Sequence, residues 1–209
     1  LVVPMALALA WWFDTADRRW LDNEVLPAIN ELVETDVNAA WRMAYEARKR
    51  VDDDPRLDQL WLDLTLPVDL ETQPPGALIE VAGYGEQPPE WVELGRSPLN
   101  AQRLPLSVLR FRVSREGNAT VESAPSLLPK PEPFVLHSPE VVPDGMVFVP
   151  PGPVAYRGER QTLPGFWISR HEVTNAEYRN FVEAGGYDDP GLWPETVELD
   201  EQILDRASL

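Results

Sequence analysis

Side chains that do chemistry are sparse in this chain of 209 residues. It contains no cysteine, which removes a thiolate nucleophile, a disulfide and any cysteine-held zinc or iron-sulfur centre. Its two histidines, His137 and His171, stand 34 positions apart, and neither has a second histidine or a carboxylate pair at metal-ligand spacing. No metal residue is therefore expected. Glu172 with Glu177, and Asp188 with Asp189, are the residue types of a general acid and a general base. Each pair has a structural use that competes with that role. Glu177 follows Thr174 by three positions, the spacing of a capping box, and the two aspartates precede Pro190 in a turn. The expectation is no catalytic and no cofactor-binding residue.

Charge narrows the partners. The formal net charge is -17, and acid dominates both ends: 15 acidic against 7 basic groups in residues 1–72, and 14 against 6 in residues 126–209. Such a surface repels phosphate backbones, so a nucleic-acid partner is excluded. The 44% apolar content is enough for ordinary cores, while 22 prolines divide the chain into short modules.

The elements that must position these groups begin with Leu1 to Phe13, which carry no charge and end in Trp11, Trp12 and Phe13. This reads as part of a transmembrane helix with an aromatic belt, the chain starting inside the span, since about 20 residues are needed to cross a bilayer. Residues 14–64 read as a helical stalk. Leu21, Val25, Ile29, Leu32 and Val33 share a face, and Pro27 should kink that helix. Asp36 is placed to cap a second helix with the apolar face Val37, Ala40, Trp41, Ala44 and Tyr45. The run Asp52-Asp53-Asp54-Pro55 closes it and opens a third helix with proline at its first position.

From residue 65 to 122 the period falls to two. Val68 and Leu70, Leu78 to Val81, Trp91 to Leu94, Arg103 to Pro105 and Val108 to Val113 read as strands of a small β-sandwich. Its turns, Gln73-Pro74-Pro75-Gly76 and Gly95-Arg96-Ser97-Pro98-Leu99, with the RLPLSVLRFRVSREG run, resemble a PEGA-type surface module. That resemblance implies a noncatalytic spacer or envelope-binding unit outside the cytoplasmic membrane. Residues 123–143 are rich in proline and read as a semi-rigid extended linker with His137 solvated.

In residues 144–209, Asp144 to Pro150 and Gly165 to Arg170 read as two strands joined by a loop. A capped helix follows, with the stripe Tyr178, Phe181, Val182 and a glycine C-cap at Gly185. The motifs DGMVFVPPG, FWISRHEVTNAEYRNFVEAGGY and DDPGLW together resemble the opening of the sulfatase-modifying-factor, or formylglycine-generating-enzyme, family. The resemblance implies an irregular fold related to C-type lectins. It also implies an activity, oxidation of a substrate cysteine to formylglycine, that uses two cysteines holding copper in the C-terminal half of complete family enzymes. The family's G-x-F-x-M-G turn is replaced here by Pro153 to Gly158.

With no cysteine anywhere, no position matches the family's catalytic pair. The fold class expected is thus a multi-module α+β chain: helical stalk, PEGA-like β-sandwich, then the beginning of a C-type-lectin-like domain. The function expected is a catalytically incompetent fragment of a membrane-anchored, formylglycine-generating-enzyme-like protein, not itself an enzyme. The order of modules resembles bacterial fusions in which a serine/threonine kinase precedes the membrane helix. The bulk of the chain would lie on the extracytoplasmic side of the inner membrane, facing an unknown protein or envelope ligand, with no cofactor of its own. The alternative is a noncatalytic lectin-like or envelope-binding module. The acidic tail from Glu195 to Leu209 reads as an amphipathic helix or a fraying end.

Overall fold

A computed structural model of the chain describes residues 15–51, 53–128, 130–156, 158–193, 196–199 and 202–205. The apolar run expected to be a transmembrane segment lies outside these residues. Among the described residues no helix is long and apolar enough to cross a membrane. The chain divides into two compact units, Leu1–Val142 and Pro143–Leu209. The architecture is α+β, with small and mostly antiparallel sheets.

The described part of unit 1 opens with helix over residues 15–20, which widens into a π-helical turn at Leu21–Val25 and continues as α1, Leu26–Thr35. Pro27 was expected to kink this helix. Instead the wide turn stands directly ahead of the proline, with Leu26 N–H donating five residues back to the Leu21 carbonyl. A π turn accommodates a ring that a regular α-helix would meet as a clash and a lost donor. Leu21, Val25 and Ile29 are buried as the periodicity predicts, but Val33 is exposed.

Helix α2, Val37–Arg50, is capped by the Asp36 carboxylate, which accepts from the Ala39 amide at 3.0 Å. Helix α3, Pro55–Leu64, opens on Asp54, which accepts from the amides of Arg56 and Leu57, and carries proline in its first turn. Trp41 and Trp61 stack at 6.4 Å, with Tyr45 5.3 Å from Trp41. Asp54 is buried, and the Arg56 guanidinium bridges it to Asp22 at 2.8 and 2.6 Å. Those bonds to Arg56 and the capped amides lower the Asp54 pKa to about 2.

The strands are β1 (Thr65–Leu70), β2 (Thr72–Gln73), β3 (Leu78–Gly83), β4 (Val92–Arg96), β5 (Leu99–Pro105), β6 (Leu109–Ser114), β7 (Val121–Ser123) and β8 (Phe134–Val135). Four form an antiparallel sheet in the order β4-β3-β6-β7; β1 pairs with β5, and β2 with β8. Strand β6 shows the period-two logic. Leu109, Phe111 and Val113 point into the core, while Arg110 and Arg112 lie against the Trp91 ring at 5.2 and 4.0 Å. The two loops singled out in the sequence meet. Gly76, at φ +87°, donates to the Ser97 hydroxyl oxygen at 3.0 Å, and Arg96 donates to the Gly76 carbonyl at 3.0 Å.

The helices do not stand apart as a stalk. Trp41, Leu57, Trp61 and Leu64 belong to the same buried cluster as Val68, Ile79, Val81, Leu104 and Phe111. An apolar helix face of this width must be covered, and the β strands cover it. Part of the expected linker is also core. Phe134 and Leu136 are buried, the Phe134 ring lies 5.4 Å from Phe111, and His137 is half-buried rather than solvated, its carbonyl accepting from Ala119 N–H at 2.9 Å.

Unit 2 comprises β9 (Met146–Val149), β10 (Gly152–Tyr156), β11 (Glu159–Leu163), β12 (Phe166–Ser169), α4 (Asn175–Glu183), β13 (Thr196–Leu199) and β14 (Gln202–Asp205). β9 pairs with β12, β10 with β11 and β13 with β14, all antiparallel. The expected loop between the first two strands is therefore a β-hairpin. The acidic tail contains a second hairpin, not a helix: Thr196 to Leu199 alternates polar and apolar residues, which suits a strand.

Candidate functional site

The residues offered for chemistry in the sequence gather around α4. Thr174 and Glu177 form a complete capping box: the Glu177 carboxylate accepts from the Thr174 amide at 2.8 Å and hydroxyl at 2.7 Å, and the Thr174 hydroxyl oxygen accepts from the Glu177 amide at 3.2 Å. The Thr174 amide and hydroxyl hold the Glu177 carboxyl below its usual pKa. It is thus an ionised cap rather than a proton donor at neutral pH.

The far end of α4 is closed by two glycines. Gly185, at φ +78°, donates to the Val182 carbonyl at 3.0 Å, and Gly186 donates to the Phe181 carbonyl at 2.9 Å, the two bonds of a Schellman motif. A Cβ on Gly186 would stand 2.2 Å from the Phe181 ring, so this position admits no side chain without displacing that ring. The motif GGY is thereby explained by helix closure against an aromatic.

Aromatic residues then collect beside the closed helix. Tyr187 stacks on Trp193 at 5.4 Å with planes 9° apart, and Phe181 meets the Tyr187 ring edge-on at 5.6 Å. The Trp193 indole N–H donates to the Gly186 carbonyl at 2.9 Å, and the Tyr178 and Tyr187 hydroxyls are hydrogen-bonded to each other. Asp189 accepts from Gly191 N–H at 2.9 Å and opens a 3-10 turn at Pro190–Leu192, while Asp188 N–H donates to the Gly185 carbonyl at 2.9 Å. The structure therefore brings Glu177, Asp188 and Asp189 into the framework of one helix and its following turn. It gives two of the carboxylates, those of Glu177 and Asp189, structural hydrogen bonds. Glu172 and His171 are exposed on the segment before α4, and His137 belongs to the other unit.

Residues 134–207 match the family model of the sulfatase-modifying factor enzyme 1-like domain. A domain of this type is present over these residues. The match covers roughly a third of the chain and takes in the capped helix, the GGY closure and the DDPGLW turn. It opens at Phe134, whose burial the sequence reading missed because prolines surround it. Comparison with curated proteins and with solved structures gave no match.

Copper, which the family implies, does not fit the residues present. The chain has no cysteine, and among the described residues no group of three or more His, Cys, Asp or Glu side chains is placed to hold a metal ion.

What unit 2 does present is apolar surface. Phe166 and Ile168, on one face of β12, are 42% and 50% exposed, and Tyr178 and Val182 on α4 are 50% and 42% exposed. Across residues 143–155 and 158–193 only Gly186 is buried.

Proposed function

We propose that this chain acts as part of a membrane-anchored, formylglycine-generating-enzyme-like protein, a fusion with a serine/threonine kinase, and that these 209 residues supply no catalysis of their own. The observation that carries this reading is the pairing of a sulfatase-modifying-factor-type domain over residues 134–207 with the absence of any cysteine. A cysteine-oxidising site of the family type has no residue here on which to be built.

On this reading unit 2 supplies scaffold. The capped α4, its glycine closure and its aromatic cluster form one edge of that scaffold, and the apolar faces of β12 and α4 are covered by further polypeptide of the same domain. Unit 1 serves as an extracytoplasmic spacer of the PEGA type, carried on the apolar segment at residues 1–13, and it faces a protein or envelope ligand.

Incubation of the chain with copper and a cysteine-containing substrate peptide of the sulfatase type tests the incompetence directly. The expected mass spectrum shows the peptide unchanged and no aldehyde captured by a hydrazide probe. Catalytic conversion of cysteine to formylglycine would sink the reading.

A further inference from the structure

The segment around β8 holds unit 1 in an unusual way. It runs parallel to β2, and among the described residues β2 pairs with no other strand. Phe134 N–H donates to the Glu71 carbonyl at 2.9 Å and Leu136 N–H to the Gln73 carbonyl at 2.8 Å. Phe134 and Leu136, two positions apart, point into the core, and Val135 between them stays half-buried. Lys130 pairs with Glu71 at 3.2 Å at the entrance. Proline occupies positions 131, 133 and 139, so the flanks have few amides to contribute to a ladder. This is how an extended peptide adds to a sheet edge: main-chain bonds fix the register, and alternate side chains fill pockets.

We propose that the edge of β2, with the core site beside the Phe111 ring and the Asn118 side-chain amide that donates to the Leu136 carbonyl at 3.5 Å, is a docking slot for an extended peptide that carries an aromatic residue and, two positions later, an aliphatic one. The slot is filled in cis by residues 134–136, which act as a detachable strap. A tethered strap competes at a local concentration on the order of millimolar, so a peptide supplied in trans binds weakly until the strap leaves. The inference concerns unit 1 and holds or fails independently of the cysteine argument. The strap is also where the domain match begins, so its release frees the first residues of that domain.

The test uses the full chain, a full-length F134S/L136S variant with the anchors removed, and a fluorescein-labelled peptide of residues 130–138. Anisotropy should show saturable binding to the variant, at least about tenfold weaker binding to the unaltered chain, and none with a peptide bearing serine at 134 and 136. Equal binding to both chains, or no binding to a variant that keeps the near-ultraviolet circular dichroism of unit 1, would overturn the slot. Should the variant not fold, amide exchange in the unaltered chain decides. Phe134 and Leu136 exchanging faster than Val81 and Phe111 supports a strap that opens alone, and equal rates contradict it.

Discussion

The two units use the same parts, short antiparallel strands and well-capped helices, but enclose different things with them. In unit 1 the apolar faces of α2 and α3 close on β1, β3, β5 and β6, and the side chains of Trp41, Ile79, Leu104 and Phe111 lose nearly all contact with water. In unit 2 the local signals are as good, with a complete capping box and a Schellman closure, yet Phe166, Ile168, Tyr178 and Val182 stay exposed. Good local geometry specifies a helix; only a covering surface makes a core.

Substitutions separate the units most sharply where burial differs most. Trp41→Ala should destabilise unit 1 by about 3–5 kcal/mol in a denaturant titration, because it removes a buried ring stacked on Tyr45 and Trp61. Ile168→Ala, at a half-exposed site, should shift the unfolding of the chain by no more than about 0.5 kcal/mol. Phe134→Ala comes next, at about 3 kcal/mol, and the loss should appear in the transition of unit 1, placing the proline-rich segment in that core.

Asp54→Ala should cost about 1–2 kcal/mol at neutral pH through the lost cap. Its pH dependence has a fixed sign. Because folding lowers the Asp54 pKa to about 2, the stabilisation is complete above the ordinary carboxylate range and fades as pH falls from about 4 towards 2. The variant's stability should therefore fall less over that window, as followed by acid titration of the tryptophan signal. The smallest effect is local: Thr174→Ala should raise amide exchange at Glu177 and Tyr178 about fivefold and leave unit 1 unchanged.

Much of this comparison was legible in the residues themselves. Asp36 and Asp54 as caps, Pro55 in a first turn, Thr174 with Glu177, and Gly185 as a left-handed closure each follow from a short-range rule. What covers an amphipathic face does not, so the stripe from Val37 to Tyr45 predicted a helix without predicting that β strands complete its core. The sequence points to a loop where the β10–β11 hairpin stands, because Glu159, Arg160, Gln161 and Thr162 show no apolar alternation; backbone pairing, not burial, defines it. Phe134 and Leu136 were hidden by prolines that are usual in linkers. For the candidate site, the structural uses of Glu177 and Asp189 were readable from spacing and turn chemistry, whereas the aromatic cluster of Tyr178, Phe181, Tyr187 and Trp193 required the fold of the turn after α4.

The difference between the units is tested most directly by residue-resolved hydrogen exchange on the full chain alone. Amides of Val81 and Phe111 should exchange only on global unfolding, while those of Tyr178 to Val182 should exchange orders of magnitude faster, by local opening of a helix with one face uncovered. Protection across α4 equal to that of the unit 1 strands would contradict this account, since it would require unit 2 to possess a closed core of its own.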